Sequence, residues 1–264
     1  VGVPDEAAAE EIAMGDGDPL ATGGAQSVGQ QLLGIVQQLQ VYIPPALGEV
    51  FLAIGIRFST FKLINSFALL VLSFGQEFQI RLLGLTKLIA PLAESADEIT
   101  PIAEVQIGLL GVFRPAEGIL SIDGSIQPGS YLLSRDCHLG GGFAFYCWFR
   151  GEHAGDFVFT VGGYHPKYVI PDHYPRVQRL GFSWQLDSDF LIKGDAYFAL
   201  TSTAIMAGGH LDAVYNSGNL HAWFHCGADF LISWQPYHYD ISLSLSIGVS
   251  YKFSLCLFGH CLNK

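Results

Sequence analysis

Charge is scarce in this sequence, and positive charge is the scarcest. Only 14% of the 264 residues are charged, against roughly 25% in an average soluble domain. Thirteen Lys and Arg oppose 24 Asp and Glu, which gives a net charge of −11. Nucleic acids and anionic lipid head groups are bound through clustered cations. We therefore expect neither of them to be a partner.

Long apolar runs are missing as well, although half of the residues are hydrophobic. The densest run, Phe67–Phe74, is far shorter than the roughly 18–20 residues of a spanning helix, so no transmembrane helix is predicted. The segment Val1–Glu6 lacks the charged-then-apolar layout of a signal peptide and an initiator Met. We expect a mature or trimmed chain, and its compartment stays open.

The familiar catalytic motifs do not occur. The sequence has no G-x-S-x-G elbow, P-loop, H-E-x-x-H or G-x-G-x-x-G. The glycines of Gly140–Gly142 precede an aromatic strand instead of a helix, which favours a turn or bulge. No cofactor is predicted, and a non-enzymatic role is favoured over an enzymatic one.

Cysteine and histidine are too sparse to specify a metal site. Three of the five cysteines lie in apolar sequence that predicts strands, and they are expected to be buried thiols. Cys256 and Cys261 flank His260, where a small disulfide in an oxidising compartment and a metal site are open alternatives. His210 with Asp212, His221 with His225, and His238 with Asp240 share strand faces by a period of two. No third ligand follows from the spacing, so no metal site is predicted.

The chain divides into a helical segment with a linker, residues 1–47, and a single all-β domain, residues 48–264. Within the first part, Gln26–Gln40 repeats apolar residues at helical spacing and predicts an amphipathic helix. This helix either caps one end of a sheet or mediates oligomerisation. Its apolar positions are Val28, Leu32, Ile35, Val36 and Leu39.

From Val50 onward the pattern predicts about a dozen or more strands with short connections. Asn216–Gly218 and Pro236 are predicted turns, and Cys226–Gly227 is predicted to separate two strands. Even, short connections favour a long antiparallel meander over βαβ units. The predicted fold is mainly β, a meander sheet that is curled or barrel- or sandwich-like.

The distribution of apolar residues predicts which parts of the sheet are covered. Phe67–Phe74, Phe143–Phe149 and Tyr197–Leu200 are apolar at both odd and even positions, which predicts burial of both faces. Each face would then meet another layer, a ligand or a neighbouring molecule. Ile241–Ile247 instead alternates apolar residues with serine, which predicts a solvated C-terminal end.

The stretch Asp156–Trp184 gathers the residues best suited to chemistry. Its motifs Tyr164–Pro166 and Asp172–Pro175 hold two histidines, one aspartate and two tyrosines, a set that suits general acid–base catalysis or a metal site. The alternative is a proline-stiffened crossover loop whose polar side chains satisfy buried backbone groups. The candidate catalytic residues are His165, Asp172, His173 and Tyr174.

Two arginines follow these residues directly. They would either pair with Asp172, Asp187 or Asp189 or capture an anionic ligand through their forked donors. Together with neighbouring aromatic residues they complete a candidate ligand site. The candidate ligand-binding residues are Tyr164, His165, His173, Tyr174, Arg176, Arg179 and Trp184.

A set of short motifs runs through the chain in a fixed order. The motifs are Gly141–Tyr146, Gly162–Pro166, His173–Pro175, Tyr197–Thr201, Met206–Gly209 and Ala228–Ile232. They resemble an uncharacterised domain of large, β-rich bacterial and fungal proteins, from about Gly48 to Phe253. The family carries no established activity, so the resemblance implies one β-rich unit. In proteins of that family, similar sequence usually continues into further strands. The resemblance therefore implies that partner chains complete the fold.

Three functions fit these observations. The first is a structural or assembly protein that buries apolar sheet faces in homo-oligomer contacts or against other β-rich subunits. The second is a binding module that encloses a lipid-like or other apolar small molecule, with residues 161–184 at the mouth. The third is an enzyme with a His/Asp/Tyr site in loop 161–184. We favour the first narrowly over the second.

Overall fold

The computed structural model describes residues 50–60, 64–75, 77–90, 101–257 and 260–263. These residues are mainly β, and none of them is helical. The predicted amphipathic helix Gln26–Gln40 lies outside the described residues. No helix long and apolar enough to cross a membrane is found in the described part of the chain.

Fourteen strands form one antiparallel sheet, and the last two form a separate hairpin. In the hairpin Cys256 lies opposite Cys261 in the register. The strands are β1 Val50–Thr60, β2 Ile64–Phe74, β3 Gln79–Ala90, β4 Ala103–Arg114, β5 Ile119–Ile126, β6 Tyr131–Leu132, β7 Ser134–Gly140, β8 Gly142–Trp148, β9 Phe157–Val161, β10 Leu180–Gln185, β11 Phe190–Thr201, β12 Ala204–Ser217, β13 Leu220–Trp234, β14 Tyr237–Tyr251, β15 Ser254–Leu257 and β16 His260–Asn263.

The large sheet is a meander of eleven rows, which confirms the predicted antiparallel order. Three rows consist of two strands each: β5 with β6, β7 with β8, and β9 with β10. Both strands of each such row pair with the same neighbouring rows; β11, for example, pairs with β9 and with β10. Each row therefore lies beside the row that precedes it in the chain.

The register sorts the side chains onto two chemically different faces. Residues opposite one another in an antiparallel pair share a face, and successive residues alternate. We call one side the apolar face; it carries the even-numbered residues of β1, β11 and β13 and the odd-numbered residues of β4, β12 and β14. Outside the short β6 and β7, its only polar residues other than tyrosine are Thr60, Ser66, Thr86 and Ser217. Ser66 and Thr86 hydrogen-bond to each other.

The opposite side, the loop face, holds the buried core. Residues 162–179 leave the row between β9 and β10 and pack across this face; we call them the crossover loop. Tyr164 and Tyr174 of this loop lie against Trp148, Met206 and Leu231 of the sheet, and all five are at most 7% exposed. The core is therefore a loop packed on one side of a sheet.

One prediction about the sheet was wrong. Leu220–Trp234 is one continuous strand, so Cys226–Gly227 is not a turn. Gly227 is needed there because the His210 ring lies 2.4 Å from the position that a Cβ would occupy. Within one copy the loop face is the better covered in the middle of the sheet: Ala144 is fully buried, whereas Phe159 on the apolar face is 36% exposed. Cover of the apolar face by a ligand or a neighbouring molecule stays a prediction.

Replacing Met206 tests the position of the core. Met206 is fully buried at the centre of the cluster, so Met206→Ala should lower the free energy of unfolding by about 2–5 kcal/mol. Met206→Leu conserves volume and should cost less than about 1.5 kcal/mol. Urea unfolding measures both, and equal losses would contradict a packing role for this side chain.

Candidate functional site

The crossover loop begins at two glycines whose backbone other residues rarely adopt. Gly162 and Gly163 have φ angles of 70° and 87°, a region that favours glycine. A Cβ on Gly162 would lie 2.2 Å from the carbonyl oxygen of Ala196. The glycine pair therefore lets the chain leave the sheet without a gap between β9 and β11.

Asp156 fixes the far end of the loop to the sheet. Its carboxylate accepts hydrogen bonds from the Tyr174 hydroxyl at 2.7 Å and from the Ser202 hydroxyl at 2.5 Å, and it contacts His173 Nε2 at 2.8 Å. Burial alone would raise the pKa of Asp156, but these hydrogen bonds outweigh it and lower the pKa below its ordinary value. Asp156 is thus an ionised anchor for two of the candidate catalytic residues.

Aromatic contacts hold the same two residues from the other side. The His173 ring stacks on His153 with centroids 3.7 Å apart, and it meets the edge of Trp148. Tyr174 stacks on Trp148 at 5.7 Å. Burial and the Asp156 carboxylate raise the pKa of Tyr174, so it stays a neutral donor.

His165 is buried at the start of the loop. Its Nδ1 accepts a hydrogen bond from the backbone N–H of Lys167 at 3.1 Å. Its Nε2 faces Asp240 Oδ1 at 3.7 Å, and neither of these two buried atoms has a hydrogen-bond partner. Burial lowers the pKa of His165 despite nearby carboxylates, so the ring is neutral at pH 7. Asp240 instead pairs with the Lys167 ammonium at 2.6 Å.

Arg179 ties the loop to the sheet at its return. The guanidinium donates to the carbonyl oxygens of Gly162 and Tyr164 at 3.0 and 3.1 Å and lies 4.2 Å from the Tyr197 ring centroid. Its nearest carboxylate is Asp195, at 3.9 Å. The predicted pairing of Arg179 with Asp172, Asp187 or Asp189 is therefore wrong. Arg176 and Asp172 are exposed.

A third cluster joins residues that spacing along the chain could not connect. His210 lies between Asp195 at 3.0 Å and Asp229 at 3.3 Å, and Asp229 also accepts from the Tyr197 hydroxyl at 2.8 Å. The hydrogen bond with Asp195 makes the largest contribution and raises the pKa of His210. Burial lowers this pKa, and the hydrogen bond with Asp229 raises it by a smaller amount. His210 and Asp212 share a face of β12 as the period of two predicts, but Asp212 contacts His225. Asp195 and Asp229 could have been predicted as partners of His210 only from the register of β11, β12 and β13.

A pocket of about 330 Å³ opens beside the crossover loop. It brings together Tyr164, His165, Arg176 and Arg179 of the predicted ligand site. His173 and Tyr174 lie in the Asp156 cluster instead, and Trp184 lies on the apolar face, on the other side of the sheet. No group of three or more metal-ligating side chains occurs among the described residues. Most polar groups here hold the loop in place.

Replacing Asp156 should release the end of the loop. Asp156→Asn keeps the shape but removes the charge that four donors share, so we expect a loss of about 1–3 kcal/mol in unfolding free energy at pH 7. Because the pKa of Asp156 is lower in the folded state, its contribution is present above the unfolded pKa and is lost as pH falls through the folded pKa. Wild type and variant should therefore converge in urea midpoint at acidic pH. A constant gap down to pH 2 would contradict the anchor.

His210 should produce the opposite pH dependence. Its pKa is raised in the folded state, so its contribution is full below the unfolded pKa and is lost as pH rises through the folded pKa. Wild type should lose stability relative to His210→Gln as the pH rises above the ordinary histidine pKa of about 6.5 and through the raised pKa of the folded state. Urea midpoints of both proteins across this range measure the difference. A flat difference would contradict the Asp195–His210–Asp229 bridge.

Comparison with known proteins places the chain in one family. No curated protein and no solved structure matched it. A family model described as "Family of unknown function (DUF6603)" matches residues 5–260, nearly the whole chain. This confirms the resemblance to an uncharacterised domain. The chain belongs to the DUF6603 family of unknown function.

Proposed function

We propose that the protein is a non-enzymatic assembly subunit whose apolar face is buried against the apolar face of another copy. The observation that carries this proposal is the continuity of that face. It crosses all eleven rows, and only four polar residues other than tyrosine interrupt it outside β6 and β7. Scattered apolar residues on a protein surface are ordinary, but a large contiguous patch marks an interaction site.

The exposure is greatest at the two ends of the sheet. Eight side chains of β14 on the apolar face are 62% to 82% exposed. Burying such side chains fully is worth about 1.5–3 kcal/mol each, so this strand alone leaves on the order of 10 kcal/mol unrealised. On β1, the five residues Val50, Leu52, Ile54, Ile56 and Phe58 are 46% to 68% exposed.

The size of the face fits a protein partner better than a small molecule. Eleven rows about 4.8 Å apart span roughly 50 Å, and strands of about 11 residues are roughly 35 Å long. This gives each copy an area on the order of 2,000 Å², as in obligate hydrophobic interfaces. A copy of the same face would match it in size and chemistry.

The loop face supports a structural role for the candidate catalytic residues. His173 and Tyr174 are held by Asp156, and Arg179 is occupied by backbone carbonyls. His165 is neutral and almost completely buried. These contacts explain the cluster as the anchor of a loop and leave no activated nucleophile beside a base.

A groove on the apolar face favours a second candidate, binding of an apolar small molecule. Its volume of about 420 Å³ lies within the usual 300–1,000 Å³ range for ligand pockets. It lies over Gly209 between β12 and β14, and most of its lining is apolar. The lining residues are Gly209, Cys226, Gly227, Ala228, Leu243, Ser244 and Leu245.

A charge on the apolar face should block assembly. Leu243→Glu places a carboxylate on that face, where Leu243 is 82% exposed, and should at least halve the mass of the oligomer because a charge in an apolar interface is costly. Ser250→Glu adds the same charge to the loop face of the same strand and should leave the mass unchanged. Light scattering measures both masses.

The oligomeric state of the wild-type protein and any small molecule bound to it distinguish the two candidate functions. A wild-type protein that is monomeric at every concentration tested would contradict assembly. A lipid-like molecule in denaturing mass spectrometry of that monomer would support the second candidate. An oligomer without a small molecule would contradict the second candidate.

A further inference from the structure

The outer edge of β14 is open in the described part of the chain. Within those residues β14 pairs with β13 alone. The N–H of Lys252 donates to the carbonyl oxygen of Asn219 at 2.8 Å, so even-numbered residues direct their backbone groups toward β13. Backbone groups alternate along an antiparallel strand. The odd-numbered residues from Tyr239 to Tyr251 therefore direct theirs outward.

This edge lacks the features that normally prevent pairing between molecules. Edge strands are usually blunted by charges, proline or bulges. Ile241–Tyr251 contains no charged residue and no proline. Its register with β13 is regular over all fifteen pairs of the strand, so no bulge interrupts it. The edge is thus long, regular and unguarded.

We infer that the outer edge of β14 binds the same edge of a second copy, antiparallel, about a two-fold axis at Ser246. The two charged residues that flank Ile241–Tyr251 favour this register, with Asp240 also paired with Lys167 of its own copy. Asp240 and Lys252 lie six residues before and six residues after Ser246. Pairing Ser246 with its own symmetry mate therefore sets Asp240 of each copy opposite Lys252 of the other.

The same register continues the apolar face across the contact. Leu245 lies opposite Ile247 of the second copy, and Leu243 lies opposite its Val249. These odd-numbered residues are the ones whose backbone groups point outward, so each such pair exchanges two hydrogen bonds. A slip by one residue would place apolar side chains opposite the serines of the loop face and is disfavoured.

This inference rests on the proposed assembly function and specifies one of its contacts. Edge pairing joins two sheets side by side, whereas the apolar faces meet face to face. Pairing of β14 with β1 of another copy would instead be head to tail and would continue into open-ended polymers. The two arrangements therefore differ in mass and in the residues that come together.

A cysteine at the two-fold axis tests the register. With Cys256 and Cys261 replaced by serine, Ser246→Cys should form a disulfide-linked dimer on mild oxidation, because non-hydrogen-bonded partners have Cα atoms about 4.5 Å apart. Ser250→Cys in the same background is the control, since its symmetry mate would be roughly 27 Å away. Ser246→Cys should give about tenfold more linked dimer on a non-reducing gel. Equal cross-linking of the two variants would overturn the register.

A proline at an outward position separates this contact from the face-to-face contact. Leu245→Pro removes a backbone N–H that points away from β13, so the sheet within one copy keeps its bonds. Leu245→Thr shortens the apolar side chain but keeps that N–H. Light scattering should find the proline variant at half the mass of the threonine variant. Equal oligomer masses would overturn edge pairing and leave the face-to-face proposal standing, whereas a monomeric wild type would contradict both.

Discussion

The period of two along the strands, locked in register across eleven rows, is the constraint on which this structure depends. A slip of one residue between any two rows would carry the apolar residues of one strand onto the loop face. The regular pairing of β12, β13 and β14 over their full lengths prevents this. Aromatic rings reinforce the register where they lie over glycine in the next strand: Phe143 covers Gly124, and Trp223 covers Gly248. Such cross-strand contacts join rows that hydrogen bonds alone would hold less specifically.

The same constraint explains why all the titratable clusters share one face. Asp195, His210 and Asp229 lie on three successive strands, yet the register brings them within hydrogen-bond distance. The crossover loop covers the polar groups beside this cluster and supplies Arg179. Burying charged and polar groups is favourable only when they are paired. The loop therefore adds hydrogen-bond partners and apolar cover together, and the protein has its core on the side of the sheet that carries its charges.

The order of the strands could be predicted from the sequence, but the residues that cover the sheet could not. Local signals such as Asn216–Gly218 and Pro236 mark real turns, because the chemistry of a turn lies within a few residues. Gly227 led to the prediction of a turn that does not exist. A glycine occurs there because the His210 ring on the neighbouring strand occupies the space of a Cβ. The anchoring roles of His173 and Tyr174 depend on Asp156 and Trp148, residues outside the loop. The expectation that both faces are covered stays a prediction for the apolar face, because apolar character at both parities does not reveal which layer or molecule covers a face.

The scarcity of charge in the sequence is a consequence of this division between faces. Apart from Arg135 on β7, every charged residue within the strands of the large sheet lies on the loop face. One face of a very wide sheet therefore contributes a single charged residue within its strands, in line with a charged fraction of only 14%. A protein whose apolar face met water would be expected to interrupt it with gatekeeping charges. Their scarcity on the face, and their absence from Ile241–Tyr251 at the edge of β14, are the physical reason to regard both as surfaces that a partner covers.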